Sequence, residues 1–368
     1  METKERITFV SNKIPYPPDQ DGNNINIFNI IKELSSRKKN TIHFILHSNS
    51  YNKSDLTIFK EYVNDLTIKP ALNQYTFFLK TPFLKKTRLV GPIFFCNYES
   101  GIYESLYKSK KKILYTADSP TFYHSKGNTA KSKIFFIKHV VQETYLFSRF
   151  TDVIFVSKDD LHYSKKRVKG KGHVIPIGYD DELLKTVSRF EKEFDFVFSG
   201  NFSYPPNYLA AEDFLSNNVP RILANIPEAS FYFVGRNPSS RMRELASQFS
   251  KVTISGEVES MENELRKSRI FFSNLSKGSG MKNKMLQAML CKLPIVCTKE
   301  SWSGFSDELP AGVKITERDE DLNETLIKIY TANQDELNEK GDANCQYFMT
   351  HYTWKSIVQK YYIPILIN

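Results

Sequence analysis

The chain has 368 residues, 40% hydrophobic and 14% aromatic, too long for one ordinary core and suited to two domains of about 150–200 residues each. Lys and Arg outnumber Asp and Glu by 51 to 41, for a net charge of +10; the excess suits phosphates, nucleic acid or acidic lipid, or is a generally basic surface with no specific partner. No run approaches the ~20 apolar residues of a membrane span, METKERITFVS lacks the regions of a signal peptide, and Cys96, Cys291, Cys297 and Cys345 show neither CxxC nor Cys/His ligand spacing, so the expectation is a cytoplasmic protein with buried, reduced thiols.

Arg6 to Ser11 alternates into an apolar strand and leads through NKIPYPPDQDGNN to a helix over 23–36. Pro and Gly make this first turn long and rigid, with Gly22 just ahead of the helix; such a turn builds a ligand cleft or is a surface loop. Thr41 to Ser48 reads as the second strand, and 55–90 hold a helix and a strand before the basic segment LKKTR. Pro92–Asn97, Ile113–Asp118 and Asp152–Ser157 are further strands, separated by helices near 99–109 and 129–150. Strands alternating with helices imply an α/β fold with a parallel, doubly wound sheet.

Asp118 and Ser119 end the fifth strand, in YTADSPTFYH. A carboxylate at that lip orients a sugar hydroxyl or a nucleophile, or it caps a turn. His124, isolated in a polar loop, reads as solvated. The basic run SKKRVKGKGH at 164–173 precedes the strand HVIPIG and is a solvated face or a contact for acidic lipid. Aromatics do not interleave with it as a nucleic-acid groove requires. The polar stretch YDDELLKTVSRFEKE, 179–193, is expected to link a first domain, 1–178, to a second, 194–350.

The second domain repeats the alternation. FDFVFSGNFSYPPNYLAAEDFL, ASFYFVGRNPSSRMRELASQF and KVTISGEVESMENELRKSR each read as strand, turn and helix, and put Gly200, Gly235 and Gly256 at three strand ends. The stretch IFFSNLSKGSGMKNKMLQAMLCKLPIVCTKE completes the series: a strand ends at Gly278 and Gly280, and a helix follows with Met281, Met285, Leu286 and Met289 as its apolar stripe. Lys282 and Lys284 stand at its first turn, where cations oppose the helix dipole and local stability is given up. Glycine turns and lysines at a helix N-terminus suit a phosphate; the same turns are also common packing chemistry.

SGNFSYPPN, FYFVGRNPS, the SGEVES turn and KGSGMKNKMLQAM, in this order and spacing, resemble the donor half of family 4 glycosyltransferases with the GT-B fold, in particular their capsule and exopolysaccharide branch. FVSNKIPYPPDQDGNN, YTADSP and IPIGYD resemble that family's first loop, its Asp-bearing strand end and the segment leading into its linker. HYTWKSIVQKYY is similar to the late helix that returns to the first domain, here 351–368. The resemblance implies two Rossmann-like domains facing a cleft, the first for the acceptor and the second for the nucleotide sugar. It implies retaining transfer of a sugar from a nucleoside diphosphate to a hydroxyl, with no cofactor and no obligatory metal.

Carried over residue by residue, the backbone around Gly278, Ser279, Gly280, Met281 and Lys282 would hold the diphosphate and Val258 would meet the base. Gly22, Gly200, Asn201, Arg236 and Gly256 would complete the donor site, with Asp118 and Lys284 in the chemistry. Ser279 and Gln287 stand where the family commonly has a pair of glutamates, the second of them a ribose ligand; an amide there lacks charge-assisted strength. The expected partners are a nucleotide sugar, a glycan or lipid-linked acceptor and a peripheral acidic membrane, with no nucleic acid. A catalytically silent GT-B subunit that stabilises a partner transferase is the alternative. A GT-B epimerase would need acid and base residues that the sequence does not offer.

Overall fold

A computed structural model of the chain describes residues 5–17, 22–37, 39–72, 86–117, 119–125, 130–180, 191–277, 281–306, 308–317 and 319–367. The chain divides into two compact units, Met1–Gly178 with Trp354–Asn368, and Tyr179–Thr353.

In the first unit a seven-stranded sheet comprises β1 (Glu5–Ser11), β2 (Asn40–His47), β3 (Asp65–Lys69), β5 (Ile93–Phe95), β7 (Lys112–Ala117), β8 (Asp152–Phe155) and β9 (Lys171–Val174). Their order is β3-β2-β1-β5-β7-β8-β9, and every pairing is parallel. The short β4 (Thr87–Arg88) and β6 (Tyr107–Lys108) pair separately. Strand side chains alternate between two buried layers: Ile7, Phe9, Phe44, Phe94, Tyr115 and Ile154 enter one, while Val10, Ile45, Phe95, Leu114 and Val153 enter the other. The central strands of a parallel sheet covered on both faces are apolar on both sides, which explains their runs of Ile, Val and Phe. The C-terminal segment contributes Trp354, Ile357, Val358, Tyr362 and Leu366 to the first layer.

Several local expectations shift. The helix expected near 99–109 is a 3-10 segment, Glu99–Leu106, and the one over 129–150 runs from Ala130 to Phe147. The basic run does not simply precede a strand. Lys171 and His173 lie within β9, at the sheet edge, where His173 Nε2 sits 2.7 Å from Asp152 Oδ1; charged side chains are tolerated on an edge because they discourage further pairing. His124 is no solvated loop residue. It lies in the helix Pro120–Ser125, with its ring stacked on those of His139 and Phe135 at 5.2 and 5.4 Å. All four cysteines are buried and free, and burial pushes the Cys291 and Cys297 thiols up to about 12, which leaves them unreactive.

The second unit holds β10 (Phe194–Ser199), β11 (Phe231–Val234), β12 (Val252–Gly256), β13 (Ser268–Ser273), β14 (Ile295–Thr298) and β15 (Val313–Thr316). They run parallel in the order β12-β11-β10-β13-β14-β15, the dinucleotide-fold order 3-2-1-4-5-6. Both units are therefore Rossmann-like. Phe196, Phe198, Phe231, Phe233, Ile270 and Phe272 fill one face with stacked and edge-on rings; Phe214 and Phe272, for example, stack at 4.1 Å. The strand order reverses between β10 and β13, so a crevice must open at their carboxyl ends.

One backbone contact shapes that end of the sheet. Gly235, at φ +143°, packs so closely on the β10 turn that a Cβ would fall 1.9 Å from the Gly200 carbonyl oxygen. Gly235→Ala should therefore combine backbone strain with overpacking and destabilise the chain by about 3 kcal/mol. Urea unfolding checks this; wild-type stability in the variant would show that the turn relaxes freely.

Candidate functional site

The crevice at the reversal of the second sheet is a pocket of about 610 Å³, within the range of small-molecule sites. Four βα turns build it. After β10 come Gly200, Asn201, Tyr204 and Asn207; after β11, Gly235 and Arg236; after β12, Glu257, Val258, Glu259 and Met261; after β13, Leu275, Lys277, Met281, Lys282, Asn283, Lys284 and Gln287. Of the residues expected at the donor site, Gly200, Asn201, Arg236, Val258, Met281, Lys282 and Gln287 are brought together here, with Lys284 beside them. Gly256, at φ +77°, shapes the β12 turn and does not line the pocket. Gly22 opens the helix Gly22–Ser35 in the first unit. Asp118, Gly278, Ser279 and Gly280 lie outside the described residues.

The helix after β13 begins later than its apolar stripe suggested. It spans Asn283–Leu290, so Met281 precedes it and faces the pocket, while Met285, Leu286 and Met289 are buried. Lys282 occupies the N-cap in an extended conformation, without a side-chain cap bond. The Met285 N–H bonds back to the Lys282 carbonyl at 3.0 Å, and an anion is the ligand a helix N-terminus without a side-chain cap favours. The loop before it is held from behind: Ser301 Oγ accepts from the Leu275 N–H at 3.1 Å and donates to the Ser273 carbonyl at 2.9 Å, and Asn274 Nδ2 donates to the Ala210 carbonyl at 2.9 Å.

Lys284 stands on the first turn of this helix, as the sequence suggests, but it does not face solvent. Its side chain is buried, with Nζ 4.1 Å from the centre of the Phe198 ring and donating to Asn207 Oδ1 at 2.8 Å. Among the described residues no carboxylate pairs with it. Burial first, and the charge of Lys282 second, lower its pKa to about 7. Asn207 is held in turn by donating to the Asn201 carbonyl at 3.0 Å. A Cβ on Gly200 would lie 2.8 Å from Asn207 and 3.3 Å from the Lys284 ammonium, so the glycine makes room for this pair. Lys282 Nζ donates to Ser303 Oγ. Two ammonium groups thus stand at one helix N-terminus, and the Lys284 group, buried and repelled by Lys282, is suited to an anion.

One turn further along, the helix presents Gln287, whose Nε2 donates to Tyr179 Oη at 2.8 Å and approaches Glu262 Oε1 at 3.3 Å. Burial, followed by the charge of Glu262, raises the Tyr179 pKa, and its hydroxyl donates to Glu262 Oε1 at 2.8 Å. Sequence reasoning missed Asn207, Glu262 and Tyr179. An Asn within the SYPPN turn was the only signal for the first; the other two meet Gln287 from 25 and 108 residues away. No group of three His, Cys, Asp or Glu side chains that could hold a metal occurs among the described residues.

The fold and the pocket define an α/β chain of two Rossmann-like units, with a lysine-bearing pocket at the strand-order reversal of the second. Residues 193–332 match the family model Glycosyl transferases group 1. Comparison with curated proteins returns no match. Among solved structures the chain is similar in fold to Anabaena HepE in complex with UDP, with 12% identity, TM-score 0.64 and coverage of 98% of this chain and 99% of that one. It is similar also to sucrose-phosphate synthase from Thermosynechococcus elongatus (13% identity, TM-score 0.61, 97% of each chain). A mutant of S. aureus TarM in complex with fondaparinux, alpha-GlcNAc-glycerol and UDP aligns at 10% identity and TM-score 0.62, over 99% of this chain and 100% of that one. The two-unit architecture is thus that of GT-B glycosyltransferase structures.

The depressed pKa of Lys284 has a stability consequence. Between about 7, its value in the folded chain, and the ordinary lysine value near 10.4, the unfolded state holds a proton that the native state has lost. Stability from this group therefore rises with pH through that window. Lys284→Met should remove this slope, at most about 1.4 kcal/mol per pH unit. Denaturant unfolding of both proteins from neutral to alkaline pH measures it, and parallel curves would show that Lys284 is solvated.

Proposed function

We propose that this protein is a metal-independent, retaining glycosyltransferase that moves a sugar from a uridine diphosphate sugar to a hydroxyl of a lipid-linked surface-glycan acceptor. The observation that carries the reading is the pair Lys282 and Lys284 at the N-terminus of Asn283–Leu290, opening on the pocket at the strand-order reversal. As the bond from the anomeric carbon to the diphosphate breaks, negative charge grows on the phosphate oxygens. Helix N–H groups and two ammonium groups meet that charge without a divalent ion. The acceptor oxygen takes the anomeric carbon from the face the diphosphate leaves, and its proton passes to the departing phosphate. Residues 193–332, matched to the glycosyltransferase family, contain every lining residue of the pocket, and the UDP complex of HepE supports uridine as the nucleoside.

Asp118 is proposed to orient the acceptor hydroxyl. A lipid-linked acceptor fits a face of the first unit: Ile134, Ile137 and Val141, on one side of the helix Ala130–Phe147, are 69%, 64% and 65% exposed, with Lys133 and Lys138 beside them. Apolar residues flanked by cations are what a helix lying in an anionic bilayer surface presents. No described helix is long and apolar enough to cross the membrane. The second reading, a silent subunit stabilising a partner transferase, is favoured by Gln287, an amide in place of a carboxylate, and by the sequence's lack of a clear catalytic His.

Titration calorimetry with UDP tests the donor site. Binding should weaken by about 100-fold in Lys282→Ala, as expected when a charged hydrogen bond to phosphate is lost. It should also weaken in the wild type as pH rises above the Lys284 value of about 7, by up to about tenfold per pH unit, because the bound diphosphate requires the ammonium form. No binding of UDP, GDP or dTDP would end the donor-site reading. Binding without sugar transfer to any acceptor would leave the silent subunit.

The membrane contact is tested separately, by sedimentation with vesicles of phosphatidylglycerol and phosphatidylcholine. Ile137→Asp with Val141→Asp should lower binding at least about tenfold while leaving UDP affinity unchanged. Equal sedimentation of both proteins would remove the bilayer from the reading.

A further inference from the structure

Gln287 occupies a pocket position at which the resemblance leads one to expect a carboxylate, and its surroundings show how an amide can stand there. Glu262 is buried, and its Oε1 accepts from Tyr179 Oη at 2.8 Å while facing Gln287 Nε2 at 3.3 Å. A carboxylate only accepts hydrogen bonds, so the edge of the Gln287 amide that faces it must be the NH2 group. Tyr179 agrees: its one proton goes to Glu262, which leaves its oxygen to accept from Gln287 Nε2 at 2.8 Å. Burial and the neighbouring carboxylate raise the Tyr179 pKa, so the phenol keeps that proton.

We infer that Tyr179 and Glu262 are positioning residues that lock the Gln287 amide with its carbonyl oxygen toward the pocket, as an uncharged acceptor for a ribose hydroxyl. The inference rests on the donor-site reading above. Lys284 and Gln287 are three residues apart and share a helix face, and Lys282 to Gln287 is about 7.5 Å along the axis at ~1.5 Å per residue. A nucleoside diphosphate laid on this face with its phosphates at the ammonium groups brings its ribose hydroxyls to Gln287. Val258 and Met261 then line the wall beyond it. The carboxylate of this cluster, Glu262, stands behind the amide on the buried side.

The consequence is an unusual response to restoring the expected residue. In Gln287→Glu two carboxylates face each other where one bond now runs, and only one of them can stay ionised without cost. UDP affinity of that variant should fall about tenfold or more at pH 8 and recover near pH 5.5, where one of the pair takes a proton. Adding Glu262→Gln restores one amide and one carboxylate; the double variant should bind UDP within about threefold of the wild type at both pH values. Against 2′-deoxy-UDP and 3′-deoxy-UDP the wild type should lose about tenfold for at least one of the two.

Calorimetry on the full chain, with thermal unfolding as the folding control and Glu262→Gln alone as the isosteric reference, reads all of these. If Gln287→Glu binds UDP at pH 8 as tightly as the wild type, or the double variant fails to recover, the lock is overturned. UDP binding with neither ribose hydroxyl contributing also overturns it, while leaving the donor site in place. A wild type that binds no nucleoside diphosphate takes both readings down together.

Discussion

The second unit turns on one desolvated ammonium group. Lys284 Nζ is buried between the Phe198 ring and Asn207 Oδ1, a position that costs free energy for as long as no anion is present. Its neighbours are arranged for that group: Gly200 has no side chain to fill the space, Gly235 presses its backbone on the same turn, and Asn207 is anchored to the Asn201 carbonyl. Lys282, which repels it, stands at the uncapped start of the same helix. Stability is given up locally where an anion would restore it.

The sheet explains why these groups meet. Strand order reverses between β10 and β13, and the helices that follow these two strands leave toward opposite faces. The segments that leave them, at Gly200 and at Leu275, therefore part and leave a crevice with the N-terminus of Asn283–Leu290 in it. The turns after β11 and β12 supply the walls, basic at Arg236, acidic at Glu257 and Glu259, and apolar at Val258 and Met261. A charge gradient follows along the helix Asn283–Leu290, from ammonium groups at its start to the Tyr179, Glu262 and Gln287 cluster one turn on. A ligand with an anionic end, a polar middle and a flat far end matches that gradient.

The alternation of apolar runs with helices, and the apolar character of both strand faces, already determined an α/β fold with doubly wound parallel sheets. Each run is short and uninterrupted because both faces of each sheet are covered, and that constraint is written locally. The glycine-bearing turns after β10 and β11, and the lysines after β13, were legible for the same reason: a tight strand end and a helix start are encoded within a few residues. The edge strand β9 was placed too late because its charges read as a solvated run, and the 3-10 turn at Glu99–Leu106 was read as a helix, since local pattern does not set hydrogen-bond register.

What only the tertiary structure decided is how distant polar groups pair. The buried state of Lys284 depends on Asn207, 77 residues away, and the orientation of Gln287 depends on Tyr179, 108 residues away. Neither pairing leaves a periodic mark in the sequence, because a single hydrogen bond across the sheet needs one residue at each end and no repeat. Taken alone, the chain reads Lys284 as a cation at a helix start that suits a phosphate, and Gln287 as the loss of a charge. Close packing around β10 and β13 turns the first into a group in search of an anion, and the second into an acceptor held in place by its neighbours.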